Sequence, residues 1–131
     1  MTTLVVTAAI VERDDSYLVT RRQQGVHLEG HWEFPGGKCE AGESLVSCLV
    51  RELREELDVG AVVGREVLTT SHDYPDRRVE LHFFECQIDG VPVPQQGQEM
   101  RWVPRPELAA LDFPPADAEL IAWLTRQKAA P

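Results

Sequence analysis

The stretch that most limits what this chain can become is residues 36–59, where a pair of glycines runs into an acidic helix. Ser44 is a suitable N-cap, and Leu45, Leu49, Leu53 and Leu57 recur every fourth residue, which predicts a helix of about 13 residues ending at Leu57 with one buried leucine stripe. Glu52, Glu55 and Glu56 stand at i, i+3 and i+4 of that helix. At about 100° per residue their side chains share an arc of roughly 100° beside the stripe. Like charges so placed cost a helix a few tenths of a kcal/mol per pair unless something neutralises them, and hard carboxylate oxygens suit Mg²⁺. From spacing alone, a solvated acidic face trimmed by Arg51 and Arg54 is the competing reading.

The residues upstream change that balance. Phe34-Pro35-Gly36-Gly37-Lys38 forms a loop into the helix, and paired glycines let backbone groups approach a cation or a phosphate closely. The run Gly37, five residues, Glu43, seven residues, Arg51-Glu52-Leu53-Arg54-Glu55-Glu56-Leu57-Asp58-Val59 resembles the Nudix box and matches eight of its nine defined positions. The mismatch is Asp58, where the family has Gly to end the helix in a left-handed conformation; Asp is tolerated there at about 1 kcal/mol or less.

The resemblance implies a Nudix fold, a three-layer α/β/α sandwich with a mixed β-sheet. It implies a hydrolase that uses Mg²⁺, with Mn²⁺ as a substitute, to split a nucleoside triphosphate into the monophosphate and pyrophosphate. Glu52, Glu55, Glu56 and the carbonyl of Gly36 would hold the metal. Glu43 and Arg51 would brace loop against helix, and Glu52 would bear most directly on water activation.

The likeness runs along nearly the whole chain. Thr20-Arg21-Arg22, His27, the stretch from Trp32 to Lys38, Tyr74-Pro75-Asp76-Arg77 and Asp112-Phe113-Pro114-Pro115-Ala116-Asp117 resemble MutT-type 8-oxo-dGTP diphosphatases. Arg22, His27, Phe34, Gly37, Lys38, Arg77 and Asp117 would then contact substrate. Each has a plainer reading: Arg22 as a surface ion pair, His27 as an exposed loop histidine, Phe34 as core, Arg77 as a turn residue and Asp117 as the N-cap of the last helix. Trp32 is assigned to the core.

Two positions depart from the 8-oxo-dGTP pattern. Gln96 stands where related loops often present another glutamate to the metal, so either Glu99 substitutes or the helix glutamates act alone. Asp117 stands where MutT-type enzymes have Asn. An ionised carboxylate only accepts hydrogen bonds, so it suits the N4 amino group of cytosine, whereas unoxidised guanine offers O6 and N7 acceptors. Oxidation at C8 makes N7 a donor and keeps that base in play. The Pro-Ala-Asp run also resembles CTP and modified-dCTP pyrophosphohydrolases. A Nudix-fold binding module without catalysis would be expected to lack box carboxylates, and Glu43, Glu52, Glu55 and Glu56 are all present.

The remaining sequence sets the scaffold. Residues 3–12 and 17–21 are β-rich on either side of Arg13-Asp14-Asp15-Ser16, which predicts a hairpin with Leu4, Val5, Val6, Ile10, Val11, Leu18 and Val19 inside. From Gly25 to Gly42 the chain reads as loop with a short extended piece at 32–34. Strands are predicted at 61–71, 78–88 and 100–103, a brief helix at 107–111, and an amphipathic helix after Pro114-Pro115 ending near Lys128. Strands mixed with two helices suggest a mixed sheet covered on both faces, in one domain over residues 1–131.

With 13 basic against 22 acidic residues the formal charge is −9, which argues against a nucleic-acid polymer or an anionic membrane as partner; the small nucleoside triphosphate is the partner that the resemblance implies. The three cysteines, Cys39, Cys48 and Cys86, are odd in number and lack Cys-x-x-Cys spacing, which speaks against a disulfide framework or thiolate zinc site and for a reducing cytoplasm. The N-terminal apolar run is too short for a span and has no basic leader. Oligomeric state is not legible at this level.

Overall fold

The protein is described by a computed structural model covering residues 2–25 and 28–126. Its elements in order are β1 (Thr2–Ile10), β2 (Glu12–Arg13), β3 (Ser16–Arg21), β4 (Trp32–Glu33), β5 (Gly36–Lys38), α1 (Leu45–Leu57), β6 (Gly60–Tyr74), β7 (Arg77–Asp89), β8 (Met100–Pro104), two 3₁₀ turns (Arg105–Ala110 and Pro115–Asp117) and α2 (Ala118–Arg126). Lys128, the expected end of the last helix, lies outside the described residues.

The strands form two sheets, one ordered β5-β1-β7-β6 and the other β2-β3-β4 with β8 paired to β3. The first is mixed: β1 runs parallel to β7 and antiparallel to β5. Residues alternate along each strand, so neighbours enter different cores. Ala8, Ile10, Tyr17, Val19 and Phe83 pack with Leu120, Ile121 and Leu124 of α2. Ala9, Val11, Leu18 and Phe84 pack with Leu49, Leu53 and Leu57 of α1. One helix therefore covers each side of the strand layer, which is the three-layer arrangement expected. No described helix is long and apolar enough to cross a membrane.

The expected hairpin survives only as a stub. Asp14 and Asp15 take positive φ (53° and 59°), and this tight turn joins Glu12–Arg13 to Ser16–Arg21. β1 does not continue the pair; it crosses into the other sheet. Hydrophobic patterning marks both segments as strands but does not say which strand each one pairs with. Leu4, Val5 and Val6 are only partly buried; Leu4 and Val6 border a cavity, and Val6 also packs against the core under α2. Arg105, buried, then fastens this corner: it donates to Asp15 (2.7 Å), Glu12 (3.2 Å) and the Leu124 carbonyl (3.0 Å).

The glycine-rich segment expected to be loop contains β5, with Thr7 opposite Gly37 and Ala8 opposite Gly36. Backbone approach explains the composition, since a Cβ on Gly36 would collide with the Thr7 carbonyl. α1 begins as predicted, with the Ser47 N–H donating to Ser44 Oγ (3.1 Å). It ends at Asp58, left-handed (φ 55°, ψ 44°), whose N–H donates to the Arg54 carbonyl (3.1 Å). The Arg54–Asp58 ion pair at 3.3 Å accompanies this cap.

The cysteine expectation is overturned. Cys39 and Cys48 form a disulfide with their Cα atoms 5.3 Å apart, leaving Cys86 free and buried. The segment after β5 folds back over the first turn of α1, a proximity that spacing along the chain does not reveal.

Candidate active site

Arg51 organises the acidic face of α1. Its guanidinium grips Glu43 in a fork (Nε to Oε2 2.7 Å, Nη2 to Oε1 2.9 Å) and donates to the Lys38 carbonyl (3.2 Å). Nη1 donates to Glu52 Oε1 (2.9 Å) and Glu55 Oε2 (3.1 Å). One cation thus ties β5, the connecting loop and the helix together. The Arg51 fork, with the Glu40 N–H, holds the Glu43 carboxyl down at about 2, and Glu43 in turn raises Arg51 above its ordinary range.

Glu56 has the opposite environment. Its Oε1 accepts from the Thr20 hydroxyl (3.3 Å) and its Oε2 from the Gly36 N–H (3.2 Å). Burial pushes its carboxyl up to about 8 and the Glu33 carboxylate adds to the rise, while the Gly36 and Thr20 donors offset only part of it. The main influences on it are burial, the Glu33 and Glu52 carboxylates and these two donors. Burial also raises Glu52, against the pull of Arg51. The Glu52 carboxylate lies directly over Gly37, where any Cβ would strike it. Buried carboxylates short of positive charge, set against a glycine backbone, fit a hard divalent cation.

The loop before β8 closes over the C-terminal end of α1. The Gln95 N–H and the Gln98 Nε2 both donate to the Glu56 carbonyl (2.9 and 3.3 Å), and the Gln96 N–H donates to Gln98 Oε1 (2.9 Å). Gln96 shares a pocket of about 120 Å³ with Glu56, Glu33 and Arg22. Glu99 is turned elsewhere, paired with Arg21 at 3.0 Å.

Across β5 from the acidic patch lies a cavity of about 280 Å³, bordered by Arg22, Glu33, Phe34, Gly36, Gly37, Lys38, Tyr74 and Asp117. Phe34 is buried, stacked on Phe113 (5.4 Å) and edge-on to Phe83 (6.1 Å). Asp117, only 4 % exposed, is pushed up to about 7 by burial and then by Glu33. Burial likewise raises Glu33, opposed by Arg22 at 2.9 Å. Burial and the Asp117 carboxylate also raise Tyr74. A wider, open groove of about 700 Å³ on another face contains none of the expected site residues.

Of the residues singled out from sequence, Glu43, Arg51, Glu52, Glu55 and Glu56 come together on one side of β5, Phe34 and Asp117 meet on the other, Gly36, Gly37 and Lys38 form the strand between them, and Arg22 borders both the cavity and the pocket beside Glu56. Arg77 does not border the cavity; its guanidinium closes on Asp76 (2.9 Å) in the β6–β7 turn, as a turn residue would. His27 lies outside the described residues. Glu33, Tyr74, Thr20 and Gln98 had no role assigned from sequence. Glu33 had a detectable signal, a charged residue between two buried aromatics, whereas Thr20 and Gln98 are unremarkable until the fold sets them on Glu56.

Comparison with known proteins bears on the same residues. The family model described as NUDIX domain matches residues 6–123. The 8-oxo-dGTP diphosphatase of Escherichia coli (strain K12) is 34 % identical over 128 residues, covering 96 % of this chain and 99 % of that protein. The CTP pyrophosphohydrolase of the same organism is 35 % identical over 131 residues, covering 99 % and 97 %. The solution structure of the E. coli ORF135 protein superposes with a TM-score of 0.82 at 36 % identity, over 93 % of this chain and 88 % of that one. With the domain spanned and these relatives matched almost end to end, the chain belongs to the Nudix family, in its MutT-like group.

Proposed function

We propose that this protein is a Mg²⁺-dependent nucleoside triphosphate pyrophosphohydrolase that sanitises the nucleotide pool, converting an 8-oxo-dGTP-like nucleotide and water into the monophosphate and pyrophosphate. The observation that carries the reading is the placement of an electron-rich acidic patch and a base-sized cavity on opposite sides of Gly36–Lys38. A nucleotide lying across that strand puts its phosphates at the patch and its base beside Phe34 and Asp117. The resemblance to an 8-oxo-dGTP diphosphatase and a CTP pyrophosphohydrolase supports the same reaction class.

Mg²⁺ held by Glu52, Glu55, Glu56 and the Gly36 carbonyl would neutralise the phosphate chain and lower the pKa of the attacking water. Arg51 occupies Glu52 Oε1, which leaves Oε2 to accept a proton as water attacks phosphorus. Glu43 and Arg51 keep the strand and helix in register. Lys38 and Arg22, at the border of the cavity, offer positive charge to the phosphates.

Asp117 near 7 populates both protonation states at neutral pH. The neutral carboxyl donates through O–H and accepts through C=O, matching the O6 acceptor and N7–H donor of 8-oxoguanine and mismatching the N7 acceptor of guanine. The ionised form accepts from the N4 amino group of cytosine, which favours CTP or a modified dCTP as the second reading. Pyrophosphate release measured as kcat/KM over standard and modified NTPs and dNTPs tests both. The proposal expects 8-oxo-dGTP to lead, with its advantage over CTP shrinking above pH 7. Hydrolysis of a dinucleoside polyphosphate and of no triphosphate would refute it.

A further inference from the structure

We propose that Cys39 and Cys48 are a reversible thiol–disulfide pair, a modification site through which a peroxide-class oxidant staples the loop after β5 to helix α1. The pair sits at the joint on which the acidic patch depends. Cys39 directly follows Gly36–Lys38, and Cys48 lies one turn before Glu52 on α1. Cys48 Sγ lies 3.3 Å from Thr7 Oγ1 and 3.8 Å from the Gly37 carbonyl, so the sulfur is packed against β5 itself.

Besides this bond, the Arg51–Glu43 fork holds the loop through its side chains. The disulfide closes residues 39–48 into a ring around Glu43 and works in parallel with that fork. A metal is the other use for two facing sulfurs, and among the described residues Glu43 is the acidic or histidine side chain grouped with them. Both Glu43 oxygens are already engaged by Arg51, so the sulfurs are left to each other.

Exposure differs in the way a two-step oxidation needs. Cys39 is partly exposed and Cys48 is fully buried beside it. The peroxide O–O bond breaks as the Cys39 thiol sulfur takes one oxygen, giving a sulfenic acid and one water. The Cys48 thiol sulfur then attacks Cys39 sulfur, the S–S bond forms, the S–O bond breaks and a second water leaves. Two thiols and one peroxide yield one disulfide and two waters, and an external dithiol reverses the change. Cys86 is a built-in control: burial pushes its thiol up to about 12.

The activity consequence rests on the proposed hydrolase reading; the covalent change does not. The test treats the whole protein with dithiothreitol or with hydrogen peroxide, then denatures, alkylates and weighs it, and in parallel follows melting temperature and Mg²⁺ activation. The reduced protein is expected to alkylate at all three cysteines and the oxidised protein at Cys86 alone. Reduction is expected to lower the melting temperature by about 5 to 10 °C. It is also expected to raise the Mg²⁺ needed for half-maximal activity severalfold while leaving kcat in place. Cys39→Ser, at the more exposed position, and Cys48→Ser should each melt like reduced wild type and form no internal disulfide with peroxide, Cys39→Ser keeping its mass and Cys48→Ser gaining oxygen at Cys39.

Equal melting of the oxidised and reduced forms, or alkylation of Cys39 and Cys48 after peroxide, overturns the proposal. Should mass and melting respond while neither form hydrolyses a triphosphate, the staple stands and the hydrolase reading falls.

Discussion

The two sides of β5 are built in different ways. The acidic side comes mostly from one continuous stretch, 36–58, in which a cap and a helical repeat set the carboxylates, Arg51 holds Glu43, Glu52 and Glu55, and the Gly36 N–H with the Thr20 hydroxyl holds Glu56. The cavity side is assembled from separate segments that contribute Arg22, Glu33, Phe34, Tyr74 and Asp117. Their electrostatics differ too. Arg51 holds Glu43 down and pulls against burial at Glu52, leaving Glu56 as the acidic-side carboxyl that burial raises most, whereas on the cavity side burial raises both Asp117 and Glu33, with Arg22 opposing at Glu33. Local sequence therefore builds the chemistry, and topology builds the selection.

If that division is right, the largest effect belongs to the continuous side. Glu52→Gln should lower kcat by about three orders of magnitude, the scale of losing a general base at a metal centre, with an unchanged circular dichroism spectrum. A variant near the wild-type rate would remove Glu52 from the mechanism. Arg51→Ala should come next, at about 10- to 100-fold in kcat/KM, because the groups that orient metal ligands are worth that much. It should also lower the melting temperature, and activity loss without any change in melting would mean that Arg51 does not brace the loop.

The pH dependence of stability separates the two sides by sign. Glu43 is depressed to about 2, so its contribution is present above the ordinary carboxylate range and is lost as pH falls toward 2. Glu43→Gln should therefore flatten the acid limb of the melting curve. Asp117 is raised to about 7, so its contribution is present below the ordinary carboxylate range and is lost as pH rises through 7. In metal-free buffer Asp117→Asn should gain on wild type by about 5 °C between pH 5 and pH 8.5. A gain that is constant with pH would mean that Asp117 is ionised throughout.

The smallest effect concerns the loop before β8. Glu99→Gln should change little, since Arg21 holds that carboxylate, while Gln96→Glu should modestly reduce the Mg²⁺ needed for activity because Gln96 shares a pocket with Glu56. The reverse ranking would show that the loop rearranges when metal binds.

Legibility followed the same division. Helix α1, its Ser44 cap and its Asp58 terminus could be read because period and capping are local properties. β5 could not, because Gly-Gly-Lys has no strand propensity and pairs only because β1 lies beside it. The hairpin assigned to β1 and β3 failed because alternation identifies a strand without naming its partner. Glu33 and Tyr74 acquire meaning only where the turn Pro115–Asp117 brings Asp117 to them. Arg77, expected at the substrate, is engaged by Asp76, its own neighbour in the turn. The odd cysteine count concealed the disulfide, since one local pair leaves a third residue over.

The central claim is that turnover is set on one side of β5 and base choice on the other. Its most direct test is the ratio of kcat/KM for 8-oxo-dGTP to that for CTP, measured at one pH in wild type, Glu52→Gln and Asp117→Asn. The account predicts that Glu52→Gln slows both substrates by the same factor and leaves the ratio unchanged, while Asp117→Asn shifts the ratio by about tenfold, the worth of one well-placed hydrogen-bonding group. A ratio that moves with Glu52→Gln and stays fixed with Asp117→Asn would contradict it.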